Sequence, residues 1–191
     1  EKKEIFLSVD TNEVCESPDY IVEMLSRIRE KDSQTYREIL YVEQPTGRDL
    51  TRYNFDMTAI ARLKPVLVDE SLTGIQEFYQ AKKLGWSGLA LKTCKGHSME
   101  LLLAALASHH GLPYTIQDLT NPKLALIHSA GFAARTYPMM GVEANAHQFF
   151  PFSSLVEGKV HPGIFSRRGG YLHLNTLGRT GLGYRTEKIR K

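Results

Sequence analysis

The chain holds two cysteines, one tryptophan and no long apolar run in its 191 residues, and each shortage removes a class of protein. Cys15 and Cys94 are too few for a disulfide scaffold and lack the paired spacing of a metal site. A reducing compartment, the cytoplasm, is therefore expected. No stretch approaches the roughly 20 apolar residues that a membrane helix needs, so no membrane partner is expected. No secretory leader pattern opens the sequence. The glycine-rich phosphate loop of a dinucleotide-binding unit is missing after the first apolar run. Strong charge of one sign is missing too: the formal net charge is +3 and the basic residues are dispersed. No nucleic-acid partner is expected. The basic end formed by Arg185, Lys188, Arg190 and Lys191 reads as a solvated terminus.

What is present is an alternation. Short β-branched runs alternate with segments of helical period. Ser17-Pro18 reads as an N-cap with proline at the first helical position, ahead of Ile21, Val22, Leu25 and Ile28 on one face. A weaker helix is expected through Met57, Ile60 and Ala61. Ser71 or Thr73 is expected to cap a helix carrying Ile75, Phe78 and Leu84 and ending at Gly85. Ser98 opens an apolar helix that Gly111 closes. Asn121-Pro122 is expected to cap a helix through Leu124, Ile127 and Phe132. A sixth strand is expected near Gly141 to Ala146. Residues 152–191 are expected to form a loop-rich closing segment, with turns at Gly169-Gly170 and Gly181-Leu182-Gly183. The whole is read as a single domain over 1–191.

Strand–helix alternation implies parallel strands with right-handed crossovers. The runs IFLSVD, ILYVEQP, PVLVDES and LALKTCK end in Asp10, Glu43, Asp69 and Lys92. Steps between polar strand-end residues are 33, 26, 23, 26 and 25 positions, from Asp10 through Glu43, Asp69, Lys92 and Asp118 to Glu143. A near-constant step of one βα unit predicts an α/β fold of the (β/α) TIM-barrel type, where chemistry sits at the carboxyl ends of the strands. About six units are present where a full barrel has eight, so a partial barrel is expected.

Asp10, Glu43 and Asp69 come from adjacent strands. Three hard oxygen ligands suit Mg²⁺, which keeps its other positions for water or substrate oxygens. Without a cation, carboxylates so crowded repel one another. Taken singly, each could instead cap a helix or pair with an arginine. Lys92 ends the next strand. Desolvated beside a cation, it is a candidate general base; the plainer reading is a lysine paired with one of the carboxylates. Lys95 is a poorer base candidate, at the start of a loop. Cys94 lies among lysines, which lower a thiol pKa, although a filler residue is the plainer reading.

The segments DTN at 10–12, VEQP at 42–45, VDES at 68–71 and LKTCK at 91–95, with the ending TLGRTGLGYR, resemble the enolase superfamily. The likeness is to its mandelate racemase and muconate lactonizing enzyme group. It implies barrel strands three to eight, with the capping domain and first two strands lying in an upstream region of the same polypeptide. It further implies an isomerase or lyase that binds Mg²⁺ and abstracts the α-proton of a small carboxylate substrate through a metal-stabilised enolate. By position, Asp10, Glu43 and Asp69 are the implied ligands and Lys92 the implied base. Asn12 and Glu70 would orient ligands by hydrogen bonds. Gln117 stands where racemase-like members place a histidine and cannot transfer protons. Asp118 could do so, or could cap the helix at Asn121. Lys95, Gln117 and Glu143 are the candidate substrate contacts. His147 reads as a packing residue and His97 as a rim residue. The expected reaction is racemisation, epimerisation, cycloisomerisation or elimination, in a homo-oligomer. Acid-sugar dehydration, a Schiff-base lyase using Lys92, and a non-catalytic binding or assembly module are the competing readings.

Overall fold

A computed structural model describes residues 5–189 of the chain. Arg190 and Lys191 of the basic end lie outside the described residues. The fold is α/β. Six strands follow one another in the sheet in chain order: β1 Leu7–Asp10, β2 Ile39–Glu43, β3 Val66–Val68, β4 Gly88–Lys92, β5 Tyr114–Gln117 and β6 Val142–Glu143. Pairing is parallel between β1 and β2, β2 and β3, β3 and β4, and β5 and β6. The chain divides into two compact units. One comprises residues 5–90 with 105–114; the other comprises residues 91–104 with 115–189.

The first unit holds α1 Asp19–Lys31, α2 Ser33–Glu38, α3 Thr58–Ala61 and α4 Ile75–Lys83. In α1 the expected face is the buried one: Ile21 and Leu25 are inside. Ser17 Oγ accepts from the Asp19 N–H at 3.3 Å, a cap one residue out of step with the expected frame. The short α2 was not expected. It exists because Asp32 Oδ1 accepts from the N–H groups of Gln34 and Thr35, two donors that a helix start leaves unpaired. Neither Ser71 nor Thr73 caps α4; Gly74 occupies the cap position without a side-chain bond. The buried side chains of this unit include Tyr41 and Val42 on β2, Val66 to Val68 on β3, and Phe78 on α4. Gly88 opens β4 where an added Cβ would lie 2.7 Å from Leu67 Cδ1 and 2.9 Å from the Pro113 carbonyl oxygen, so only glycine fits that approach.

The helix α5, His97–His109, contributes residues to both units. The second unit also holds α6 Leu124–Ala133, α7 Ala146–Phe149, α8 Leu155–Val160, α9 Pro162–Phe165 and α10 Thr186–Ile189. Its core gathers Leu126, Ile127 and Ala130 of α6 with Ile164 of α9, and Leu174, Leu177 and Tyr184 pack against them. The segment after residue 151 carries α8, α9 and α10 between loops. Two expectations need correction here. The sixth strand stops at Glu143, because the Ala146 N–H is taken by Asp118 Oδ2 at 3.0 Å and a helix starts there. Asn121 does not cap α6; its amide donates to the carbonyls of Asp118 and Leu119, and Lys123 holds the cap position at φ +60. The Gly169-Gly170 turn forms as expected, with φ of +60 and +86 between bridged Arg168 and Tyr171. Among the described residues, no helix is long and apolar enough to cross a membrane.

The closing segment is tied down by His161, which is fully buried. Its Nε2 accepts from the Arg185 N–H at 3.2 Å, so Nδ1 carries the proton and donates to Thr176 Oγ1 at 3.0 Å. Burial, and secondarily the Arg185 charge, hold this imidazole below its ordinary pKa. Such a group binds fewer protons folded than unfolded. Its stabilising contribution is complete above the unfolded value near 6.5 and declines as pH falls through that value toward the folded one. His110 and His128 are shifted the same way, each mainly by burial. We expect the thermal midpoint to fall between pH 7.5 and pH 5, and the fall to shrink in His161→Gln. An unchanged pH slope in that variant removes His161 from the account.

Candidate functional site

The carboxyl ends of β1, β2 and β3 carry the expected acidic residues. Asp10 pairs in register with Glu43, and Glu43 with Leu67. Paired positions of parallel strands point to the same side, and side chains alternate along a strand. Asp69, two residues beyond Leu67, therefore shares the face of Asp10 and Glu43. Glu43 and Asp69 are buried, at 3% and 1% exposure, whereas Asp10 is exposed.

Asp10 is held from within its own loop. The Asn12 N–H donates to Oδ1 at 2.8 Å and Asn12 Nδ2 donates to Oδ2 at 3.0 Å. The turn puts Asn12 at φ +47 and Glu13 at φ +68. Each carboxylate oxygen has two acceptor positions, so these bonds leave one open on each. Glu13 then forms a bidentate pair with Arg48 of the loop after β2, with the Arg48 backbone N–H donating to Glu13 Oε1 at 2.7 Å. The Arg48 hydrogen bond holds the Glu13 carboxyl below its usual range.

Asp69 is held from the neighbouring strand. Gln44 Oε1 accepts from the Asp69 N–H at 2.9 Å and from the Ser71 N–H at 3.2 Å. Gln44 Nε2 donates to Ser71 Oγ at 2.8 Å and to the Thr46 carbonyl at 3.0 Å. Glu70 is half-buried and lines a polar cleft of about 230 Å³ with Arg48, Asp49, Ser71 and Thr73. Gln44 was missed in the sequence as a separate actor. Its signal was a glutamine placed between a strand-end glutamate and a proline.

Carboxylates at successive strand ends, two of them buried, are the oxygen donor type that a hard divalent cation takes. Among the described residues, no three His, Cys, Asp or Glu side chains are gathered closely enough to hold a metal ion.

The second unit carries the other candidates. Lys92 is buried at the end of β4, at 6% exposure. Lys95 is exposed, in a 3-10 turn over Thr93–Lys95 that a 2.9 Å bond between Thr93 Oγ1 and Ser129 Oγ anchors to α6. Desolvation raises the Cys94 thiol pKa, and the neighbouring Lys95 and Lys92 only partly oppose that. Gln117 and Glu143 pair in register, so they share a face. Asp118 is buried, and both of its carboxylate oxygens receive backbone donors. Oδ1 takes the Thr120 N–H at 2.8 Å and Oδ2 the Ala146 N–H at 3.0 Å. It therefore caps α7 rather than the helix near Asn121. Asn145, another residue missed in the sequence, donates from Nδ2 to Glu143 Oε1 at 3.1 Å and accepts the Thr120 N–H on Oδ1, also at 3.1 Å. His147 packs its ring on Phe165, and His97 packs on His128 and Phe132.

No family model matches this chain, and no curated protein matches it in sequence. Solved structures do match. A mandelate racemase/muconate lactonizing enzyme from Roseiflexus sp. is 25% identical with a TM-score of 0.64, over 75% of this chain and 40% of that one. A dipeptide epimerase from Enterococcus faecalis V583, described as complexed with Mg and the dipeptide L-Leu-L-Tyr, is 20% identical with a TM-score of 0.61, over 74% and 39%. The L-Ala-D/L-Glu epimerase of Bacillus subtilis is 20% identical with a TM-score of 0.60, over 74% and 38%. The chain thus spans about two-fifths of the length of these structures. The likeness establishes that the chain shares the fold of the matched part.

Proposed function

We propose that the chain carries the metal-binding and proton-transfer portion of an enolase-superfamily enzyme, on strands three to eight of a TIM-type barrel. The reaction is abstraction of the α-proton of a small carboxylate substrate, in a racemase or epimerase, a cycloisomerase or a lyase. What supports this reading is that Asp10 and Glu43 pair in register at the ends of β1 and β2, with Asp69 directly after the end of the next parallel strand, β3. These three would hold Mg²⁺, which when bound supplies Lewis-acid compensation for charge on the substrate carboxylate. Asn12 holds the Asp10 carboxylate in place, and Gln44 fixes the backbone that carries Asp69. Lys92 Nζ takes the α-proton. Asp118 takes one backbone donor on each oxygen, which fixes the loop after β5 and leaves one acceptor position on each.

The test is solvent exchange. The chain, with Mg²⁺ in D₂O, is incubated with a panel of α-substituted carboxylic acids and dipeptides, and the α-proton signal is followed by NMR. Loss of that signal is the expected result. No exchange on any member, together with no cation binding, favours a second reading, a non-catalytic binding or assembly module. One observation points toward that alternative: no three-carboxylate cluster is gathered among the described residues.

A further inference from the structure

An apolar recess lies entirely within the second unit. It encloses about 470 Å³, which is the size of a small-molecule site. One wall is the end of α6, where Ala130 and Ala133, with Ala134 just beyond, have side chains too short to fill the space. Leu172 and Leu174 form another wall and also pack against the core of this unit. The segment that carries them is tied down. Arg168 and Tyr171 exchange N–H to carbonyl bonds of 3.1 Å across the Gly169-Gly170 turn, and the His173 N–H donates to the Gly163 carbonyl at 2.8 Å.

Side chains alternate along this segment. Leu172 and Leu174 line the recess, while His173 and Asn175 line a separate polar cleft of about 210 Å³. The same alternation holds on β6. Val142 lines the recess, and its neighbour Glu143 turns to the other face of the sheet, in register with Gln117. The recess is therefore set apart from the candidate substrate contacts.

Charge decides what the recess can take. Of the side chains that line it, only Arg167 is charged. Arg167 is exposed and makes neither a hydrogen bond nor an ion pair among the described residues. An apolar recess with one unpaired guanidinium complements an anion with an apolar body, and the guanidinium fork matches a carboxylate. We propose that this recess binds a monocarboxylate with an alkyl or single-ring body. The body lies against Ala130, Ala133, Leu172 and Leu174, and the carboxylate meets Arg167. The site stands independently of the proton-transfer reading.

The experiment is an NMR titration of the full, isotope-labelled chain with butanoate, hexanoate and octanoate, and with octanol and octylamine as uncharged and oppositely charged probes. Affinity should rise about fourfold per methylene from butanoate to octanoate, the gain for burying a CH₂ group. The shifted amides should fall within residues 130–144 and 167–174. Octanoate should bind about two- to fivefold tighter than octanol, the worth of an exposed ion pair, and octylamine weaker than both. Arg167→Gln should erase the advantage of octanoate over octanol and leave octanol binding unchanged. Ala133→Leu fills the recess and should weaken octanoate and octanol alike by at least about tenfold, the loss of two buried methylenes. If Ala133→Leu does not fold, Ala134→Leu, exposed on the same wall, carries the comparison. Binding that survives the folded leucine variant, or that shifts amides elsewhere, overturns the site. Equal affinity for octanoate, octanol and octylamine overturns the carboxylate. No binding by any probe overturns both.

Discussion

Replacing Lys92 with methionine should lower α-proton exchange by about 10²–10⁴-fold, the range that a positioned acid–base group contributes, with divalent-cation affinity changed by less than about threefold. The reasoning starts from burial. Lys92 is 6% exposed at the end of β4, so most of its four-carbon stem is inside. Methionine matches that stem in length and flexibility and keeps the packing, while it removes the nitrogen that takes the proton. Lys92→Arg completes the comparison. Arginine keeps a positive charge but does not deprotonate in proteins. If Lys92 acts only by its charge, Lys92→Arg retains exchange; if it is the base, Lys92→Arg is as inactive as Lys92→Met. Borohydride treatment in the presence of substrate separates the remaining chemistry. A mass adduct on Lys92 assigns it to a Schiff base, and the expected spectrum has none. Wild-type exchange rates in either folded variant remove Lys92 from the proton-transfer step.

The strand ends were legible because a β-branched run that stops at a charged residue is a local pattern. Asp10, Glu43, Asp69 and Lys92 could each be placed at a carboxyl end from the residues immediately around them. Parallel pairing then sets Asp10 in register with Glu43, so these two share a face. What could not be read depended on partners distant in sequence. What Asp118 holds was not readable, because one of its two backbone donors, the Ala146 N–H, lies 28 residues away. Ser71 looked like a helix cap, yet its N–H and hydroxyl belong to Gln44, 27 residues before it. For Cys94 the neighbouring lysines are visible in the sequence and desolvation is not, and desolvation is the larger influence on that thiol, which agrees with the plainer reading of a filler residue. The short α2 was a simpler oversight, since Asp32 ahead of Ser33-Gln34-Thr35 is a capping pattern present in the sequence itself.

The largest effect on ligand binding is expected from Asp69→Asn. Mg²⁺ at 100 times its dissociation constant stabilises a protein that binds it only when folded by about 2.7 kcal/mol. For a chain of 191 residues that is a rise in thermal midpoint of roughly 5–10 °C. Asparagine has nearly the shape of aspartate. The backbone N–H of residue 69 would still donate to Gln44 Oε1, the 2.9 Å bond that anchors this strand end, so the metal-free variant should fold. What is lost is a full negative charge and the carboxylate oxygens that Mg²⁺ prefers over neutral amide oxygen. The Mg²⁺-induced rise should therefore shrink to about 1 °C or less at the same concentration. Glu38→Gln removes the same unit of charge from α2, away from the strand ends, and keeps an amide at the position where Gln34 Nε2 now donates. It should retain the whole rise. Equal losses in the two variants would assign the response to overall charge rather than to a site. A full response in Asp69→Asn would take Asp69 out of the cation shell, leaving only Glu43 and exposed Asp10 of the original three. That pair has too few carboxylates to offset the dehydration that Mg²⁺ resists, so the metal reading would fail with Asp69.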